Sequence, residues 1–194
     1  MDNNPGNDVT KYHRTILNTI VDAAHTVLDG DDYYLVQQSG AGFTGSAGWT
    51  SNSQVKLVDP VSNEPQFVKD QINTSSYVGA GNMAKWIDVE FQAANLIKGD
   101  YDRVTYILIT DASDTGDEPL RNADIALAQE QNANIHLIYI RKDGSPPTVN
   151  QEAFFKKYAD DTGGLFFLGD ETTLSANLGD LVGAVATCKG PAIY

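Results

Sequence analysis

A three-layer α/β fold, with a doubly wound, mainly parallel sheet covered by helices on both faces, is predicted by three observations. The runs Val104-Thr-Tyr-Ile-Leu-Ile-Thr110 and Ile135-His-Leu-Ile-Tyr-Ile140 are almost continuously apolar and β-prone, as strands buried on both faces require. Helical patterns of roughly 10–15 residues separate the strands of the second half, which implies right-handed crossovers between parallel neighbours. Gly and Pro stand at most of the boundaries between these patterns, where turns and helix ends need them.

Taken in order, Val9 to Leu28 reads as an amphipathic helix. Val9, Tyr12, Ile16, Ile20, Ala24 and Val27 recur at three- and four-residue steps, and Gly30 supplies the left-handed stop. Tyr33 to Ser39 is a strand. Gly40, Gly42, Gly45 and Gly48 mark a loop or hairpin tip, and Gln54 to Val58 is a second, shorter strand. Asn63-Glu64-Pro65 begins a short helix to about Ile72, with proline pre-set for the first turn. After a loop, Asn82 to Lys98 reads as a long helix whose inner face carries Trp86, Ile87, Glu90, Phe91, Ala94 and Ile97.

The strand at 104–110 runs into an acidic loop, Asp111 to Asp117. Glu118 to Asn132 is a helix with Pro119 in its first turn, followed by the strand at 135–140. Thr148 and Gln151 have the spacing of a capping box, opening a helix that ends near Asp161 and is stopped by Gly163-Gly164. Leu165 to Leu168 is a short strand. Thr173 to Ala186 is a closing helix with Leu174, Leu178, Leu181, Val182 and Val185 on one stripe. No internal repeat and no linker divides the chain, so 1–188 is one domain and 189–194 a tail.

The 194 residues carry 13 basic and 26 acidic side chains, a formal charge of -13. That balance excludes a nucleic-acid partner, which needs a basic footprint, and disfavours an anionic lipid surface. No apolar run reaches the roughly 18–20 residues of a membrane span, and no signal segment is visible at the start. Cys188 alone allows no internal disulfide. Asn73-Thr74-Ser75 is a glycosylation sequon, weak evidence for secretion.

In a doubly wound sheet the functional edge lies beyond the carboxyl ends of the strands. The loop after the strongest strand is therefore the place to look, and it holds Asp111, Ser113, Asp114, Thr115 and Asp117. Such hard oxygen ligands suit Mg²⁺ or Ca²⁺; equally, the loop is a solvated turn with Asp117 capping the next helix. Enzyme templates are absent: there is no dinucleotide glycine motif, no P-loop and no nucleophile elbow. His13, His25 and His136 lack metal-ligand spacing, and His136 inside a strand reads as structural. No catalytic set is recognised, and the chain is read as non-enzymatic.

Together these features resemble a von Willebrand factor type A domain, most specifically from Asn82 to Leu181. Ile107-Leu-Ile-Thr-Asp111 resembles the family's fourth strand and metal-proximal Asp. Ala123 to Ile140 is similar to its next helix and strand, and Leu165-Phe-Phe-Leu168 to its closing strand. Gly79-Ala-Gly-Asn82 resembles the Gly-rich loop before the family's third helix. The resemblance implies a protein-binding or adhesion module and a metal-ion-dependent adhesion site for Mg²⁺ or Ca²⁺. By that resemblance Asp2, Asn4 and Asp111 are the metal residues, and Gly81, Asn82, Ser113, Asp114 and Asp117 line the binding rim. The site is degenerate: Asn4 and Gly6 stand where the family's first loop has serines, and Gly81 where it has threonine.

The family's first, central strand should precede Asp2, where only Met1 stands. The resemblance therefore implies a sheet one strand short: either upstream residues, clipped or otherwise, are missing from this chain, or another chain donates a strand, or the sheet closes differently. Three functions follow as expectations: a protein-interaction module, extracellular by its resemblance, sequon and acidity; a structural subunit of a filament or matrix assembled by strand donation; and a metal-assisted hydrolase using Asp111, Asp114 and Asp117. Partners are accordingly a protein or further copies of the chain.

Overall fold

The computed structural model describes residues 9–27, 34–39, 55–62, 64–74, 105–110, 118–140 and 145–169, with 173, 176, 178–180 and 183. In chain order these form α1 (Val9–Val27), β1 (Tyr34–Ser39), β2 (Val55–Ser62), α2 (Pro65–Thr74), β3 (Thr105–Thr110), α3 (Glu118–Glu130), β4 (Asn134–Tyr139), α4 (Val149–Thr162) and β5 (Phe166–Leu168). Residues 173, 176, 178–180 and 183 are helical. The expected helix at 82–98 lies outside the described residues.

β3, β4 and β5 form a parallel sheet in that order, in register from Thr105↔Asn134 to Thr110↔Tyr139 and from Leu137↔Phe166 to Tyr139↔Leu168. Period-two alternation sends side chains to opposite faces. Tyr106, Leu108, Ile135, Leu137 and Tyr139 pack with Ile125 and Ala128 of α3 and Phe154, Phe155 and Tyr158 of α4. Ile109, Ile138 and Ile140 pack on the other face with Ile16 and Ile20 of α1, joined by Leu178. Both faces are thus helix-covered, which is why the strands are apolar throughout. Val21 of α1 meets Val68 and Ile72 of α2 in a smaller cluster, and Lys69 Nζ reaches Asp22 Oδ1 across the same helix pair at 2.6 Å.

The buried face of α1 takes in His13 and Val21, which the expected stripe omits. His13 is fully buried in line with Ile16 and Ile20, because it lies one turn before Ile16 on the same stripe. A stripe built from apolar residues alone passes over it. β2 also runs further than the expected 54–58. Its pairing with β1 is antiparallel and steps from Val36↔Val58 to Tyr34↔Ser62, so β2 bulges around Pro60. A bulge tolerates the missing proline N–H, which a regular ladder would not. Among the described residues β1 and β2 form a two-stranded sheet of their own.

α4 is fixed at both ends. Gln151 N–H donates to Thr148 Oγ1 at 3.3 Å, and Thr148 N–H donates to Gln151 Oε1 at 2.8 Å, completing the capping box that the spacing implies. Truncating this cap by Thr148→Ala is expected to cost about 1 kcal/mol, read as a lower urea midpoint at unchanged slope; an unmoved midpoint contradicts a structural role for the box. At the other end Gly163 takes the left-handed conformation, φ 71°. Thr162 Oγ1 accepts from Ile135 N–H at 2.9 Å and donates to the Tyr158 carbonyl at 2.7 Å. Asn134 Nδ2 donates to the Thr162 carbonyl at 2.7 Å. These bonds tie the end of α4 to the start of β4.

Candidate functional site

The carboxyl ends of the strands are levelled by backbone bonds. Ile140 N–H donates to the Thr110 carbonyl at 3.0 Å, and Gly169 N–H reaches the Tyr139 carbonyl at 3.4 Å. Thr110 is fully buried, so β3 delivers the chain to Asp111 from a rigid support. The acidic loop then spans the interval to α3, whose first turn carries Glu118. α1 lies over the last residues of β3 and β4 through Ile16 and Ile20. After β4, Ser145 to Thr148 leads into the capped start of α4, with Pro147 buried and Val149 83% exposed.

The residues assigned from the sequence to the metal and to the binding rim lie outside the described residues. This holds for Asp2, Asn4 and Asp111, and for Gly81, Asn82, Ser113, Asp114 and Asp117. The structure places their flanks: Thr110 directly before Asp111, and Glu118 directly after Asp117. Among the described residues no group of three or more His, Cys, Asp or Glu side chains is arranged to hold a metal, and no helix is long and apolar enough to cross a membrane.

Further buried polar groups lie at the α3–α4 interface and in β4. Tyr158 Oη donates to Asp124 Oδ2 at 3.1 Å between α4 and α3. The Arg121 guanidinium sits 4.8 Å from the centre of the Phe154 ring, a cation–π contact. Both are packing devices of the α3–α4 interface. Their signal in sequence is a charged residue on an otherwise apolar stripe, Arg121 and Asp124 beside Ile125 and Ala128. His136 Nδ1 accepts from Leu165 N–H at 3.1 Å, which places this nitrogen without a proton and gives the histidine the structural role expected of it.

No family model matches the chain, and no curated protein matches it by sequence. Solved structures do match its fold. The conserved hypothetical protein BatB from Bacteroides thetaiotaomicron aligns at 14% identity over 91% of this chain and 88% of its own, with a TM-score of 0.57. A von Willebrand factor type A protein from Catenulispora acidiphila aligns at 14% identity over 95% of this chain, TM-score 0.59, and the chain spans 41% of that protein's length. An aerotolerance-related membrane protein from Bacteroides fragilis NCTC 9343, carrying multiple mutations to serine, aligns at 11% identity over 89% of this chain and 87% of its own, TM-score 0.57. At these identities the likeness is one of fold: the chain has an α/β fold of the von Willebrand factor type A kind, with a parallel sheet and helices packed on it.

Proposed function

We propose that the chain is a non-enzymatic protein-interaction module that binds through the rim at the carboxyl ends of β3 and β4. The observation that supports this most is the join at Thr110: a fully buried strand end, level with β4, opens directly into the acidic loop Asp111 to Asp117. The family resemblance of the sequence implies a protein-binding role for a domain of this kind. An acidic rim on a chain of charge -13 suits a partner that presents basic groups. The same character fits an extracellular setting.

A divalent cation at this rim is part of the proposal. Asp2, Asn4 and Asp111 would supply carboxylate and amide oxygens, the hard donors that Mg²⁺ and Ca²⁺ take. Gly6 and Gly81 offer no side-chain oxygen at the remaining positions, so water would complete the shell and binding would be weak. Titration calorimetry with Mg²⁺ and with Ca²⁺ tests this. Heat of binding in the unaltered chain that disappears in Asp111→Ala supports the assignment; equal heat in both chains assigns the cation elsewhere, and none in either leaves a metal-free rim.

A second reading, a structural subunit assembled by strand donation, is favoured by one specific observation. Among the described residues the β1–β2 hairpin is not hydrogen-bonded to the β3–β4–β5 sheet, although α1, which packs on that sheet, and α2, which packs against the hairpin, pack on each other. One further strand beside β3 would extend the parallel sheet, as strand addition does elsewhere.

A further inference from the structure

The entry to β5 is fastened to β4 at Leu165, and one of the two fastenings is an imidazole. Leu137 N–H donates to the Leu165 carbonyl at 2.9 Å, and Leu165 N–H donates to His136 Nδ1 at 3.1 Å. An accepting Nδ1 carries no proton, so the ring is neutral with its proton on Nε2. His136 is 1% exposed. A proton on Nδ1 would set two donors head to head and place a charge away from water, and both effects oppose it. Protonation of His136 and the bond from Leu165 therefore exclude one another. β5 itself has three residues, all only partly buried, so opening at this point takes less than unfolding the sheet.

The alternation of β4 puts His136 on the α1 face with Ile138 and Ile140. Ile107 of β3 is its register partner. Among the described residues of the elements on this face, Asp22 of α1 pairs with Lys69 of α2, Arg14 is half-buried, and His25 and Asp180 are exposed. His13 is the other buried imidazole of this side. Across the sheet, Arg121 and Asp124 of α3 meet Phe154 and Tyr158 of α4, and Lys156 and Lys157 pair with Asp160 and Asp161.

We propose that His136 is an acid-sensitive latch: its neutral imidazole holds the α4–β5 turn on β4, and its protonation releases that turn and β5 while β3, β4 and α4 stay folded. The sign follows from proton binding. An imidazole exposed to water by opening takes up a proton near pH ~6.5. Below that pH the open form binds more protons than the closed form, so acid favours opening. Each pH unit of acidification shifts the balance by up to about 10-fold. Above that pH the latch is closed.

NMR on the whole chain between about pH 7.5 and about pH 5 tests this. At the upper end the His136 Nδ1 shift is expected to be that of an unprotonated ring nitrogen. Amide protection, taken relative to an unstructured peptide, is expected to fall roughly 10-fold or more at Leu165 and Leu137 on acidification. Ile140, whose N–H bonds to the Thr110 carbonyl, is expected to keep its protection. In His136→Asn the side-chain oxygen can still accept from Leu165 N–H but does not titrate, so the fall disappears; in His13→Asn it remains. A protonated Nδ1 at the upper pH overturns the proposal without any variant. So does an equal fall at Leu165 and Ile140, no fall at Leu165, or a fall that persists in His136→Asn. A fall that vanishes in His13→Asn assigns the sensitivity to His13 and overturns it as well. If His136→Asn does not fold, the unaltered chain decides: the His136 ring signals and Leu165 protection must titrate together, and separate midpoints overturn the latch.

Discussion

Gly164→Ala is expected to destabilise the chain by about 3 kcal/mol or more. A Cβ at this position would stand 1.9 Å from the Ile135 carbonyl oxygen and 2.5 Å from its carbon, with the His136 nitrogen at 3.2 Å. All three atoms are backbone, held in the middle of the sheet, so no side chain can rotate out of the way. The chain comes this close because the α4–β5 turn is bonded tightly on both sides. Gly164 N–H donates to the Ala159 carbonyl at 2.9 Å, and Leu165 N–H donates to His136 Nδ1. Relief would require β5 to lift from β4, breaking the Leu137 N–H bond to the Leu165 carbonyl. For a domain of this size the loss corresponds to a Tm lower by roughly 6–12 °C. Gly163→Ala is the instructive comparison. Its added Cβ meets only the Asn134 side-chain nitrogen, at 3.2 Å, and its penalty comes mainly from the left-handed φ of 71°, about 1 kcal/mol. A Gly164→Ala chain no less stable than Gly163→Ala would contradict the close approach of turn and sheet.

Phe155→Ala should cost about 3–5 kcal/mol. The ring is fully buried where α4 meets the sheet, 5.5 Å from the Tyr139 ring centre and 5.3 Å edge-on from Phe154. Its removal leaves a cavity walled by other large side chains, Tyr139 and Tyr158, themselves fully buried. Tyr158 is further held by its bond to Asp124, which limits how far the walls can collapse. Urea denaturation checks the value, and a loss below about 1 kcal/mol would mean that α4 does not pack on this face as described.

Much of this fold was legible because its signals are local. The capping box needs only Thr148 and Gln151 at the right spacing, and both of its bonds form. β3 and β4 stand out because burial on both faces removes the polar alternation that would otherwise confuse strand with loop. The glycines between the two β-rich runs fit either a loop or a hairpin tip, and β1 and β2 pair antiparallel. Features that depend on tertiary context were less visible. His13 belongs to the buried stripe of α1, but its residue type hides it. Pro60 shortens the apparent strand, because a bulge forgiving of proline is a property of the pair and not of either run. Arg121 and Asp124 are buried because Phe154 and Tyr158 arrive from α4 to receive them, which spacing along α3 alone does not reveal.

The candidate site was legible in a different way. Asp111, Ser113, Asp114 and Asp117 are marked by residue type and by their place beyond a strand end, whereas Asp2, Asn4, Gly81 and Asn82 are marked by the family resemblance alone; the structure positions the strand ends. Thr110 and Ile140 are joined by a backbone bond, and α1 covers the same ends through Ile16 and Ile20. Asp2, Gly81, Asp111 and Asp114 lie outside the described residues. Loop conformation depends on side-chain, solvent and ion contacts more than on a repeating pattern, which is why residue spacing reaches the rim but not its detailed shape.

The central claim is that binding is concentrated at the carboxyl ends of β3 and β4. Paramagnetic line broadening by Mn²⁺, added at substoichiometric levels to the labelled chain, tests it most directly because it reports position rather than affinity. The rim account predicts selective loss of the Thr110 and Ile140 amide signals before any others among the described residues. Broadening that instead begins around the exposed carboxylates Asp22, Asp70 and Asp160, or spreads evenly over the acidic surface, would contradict it.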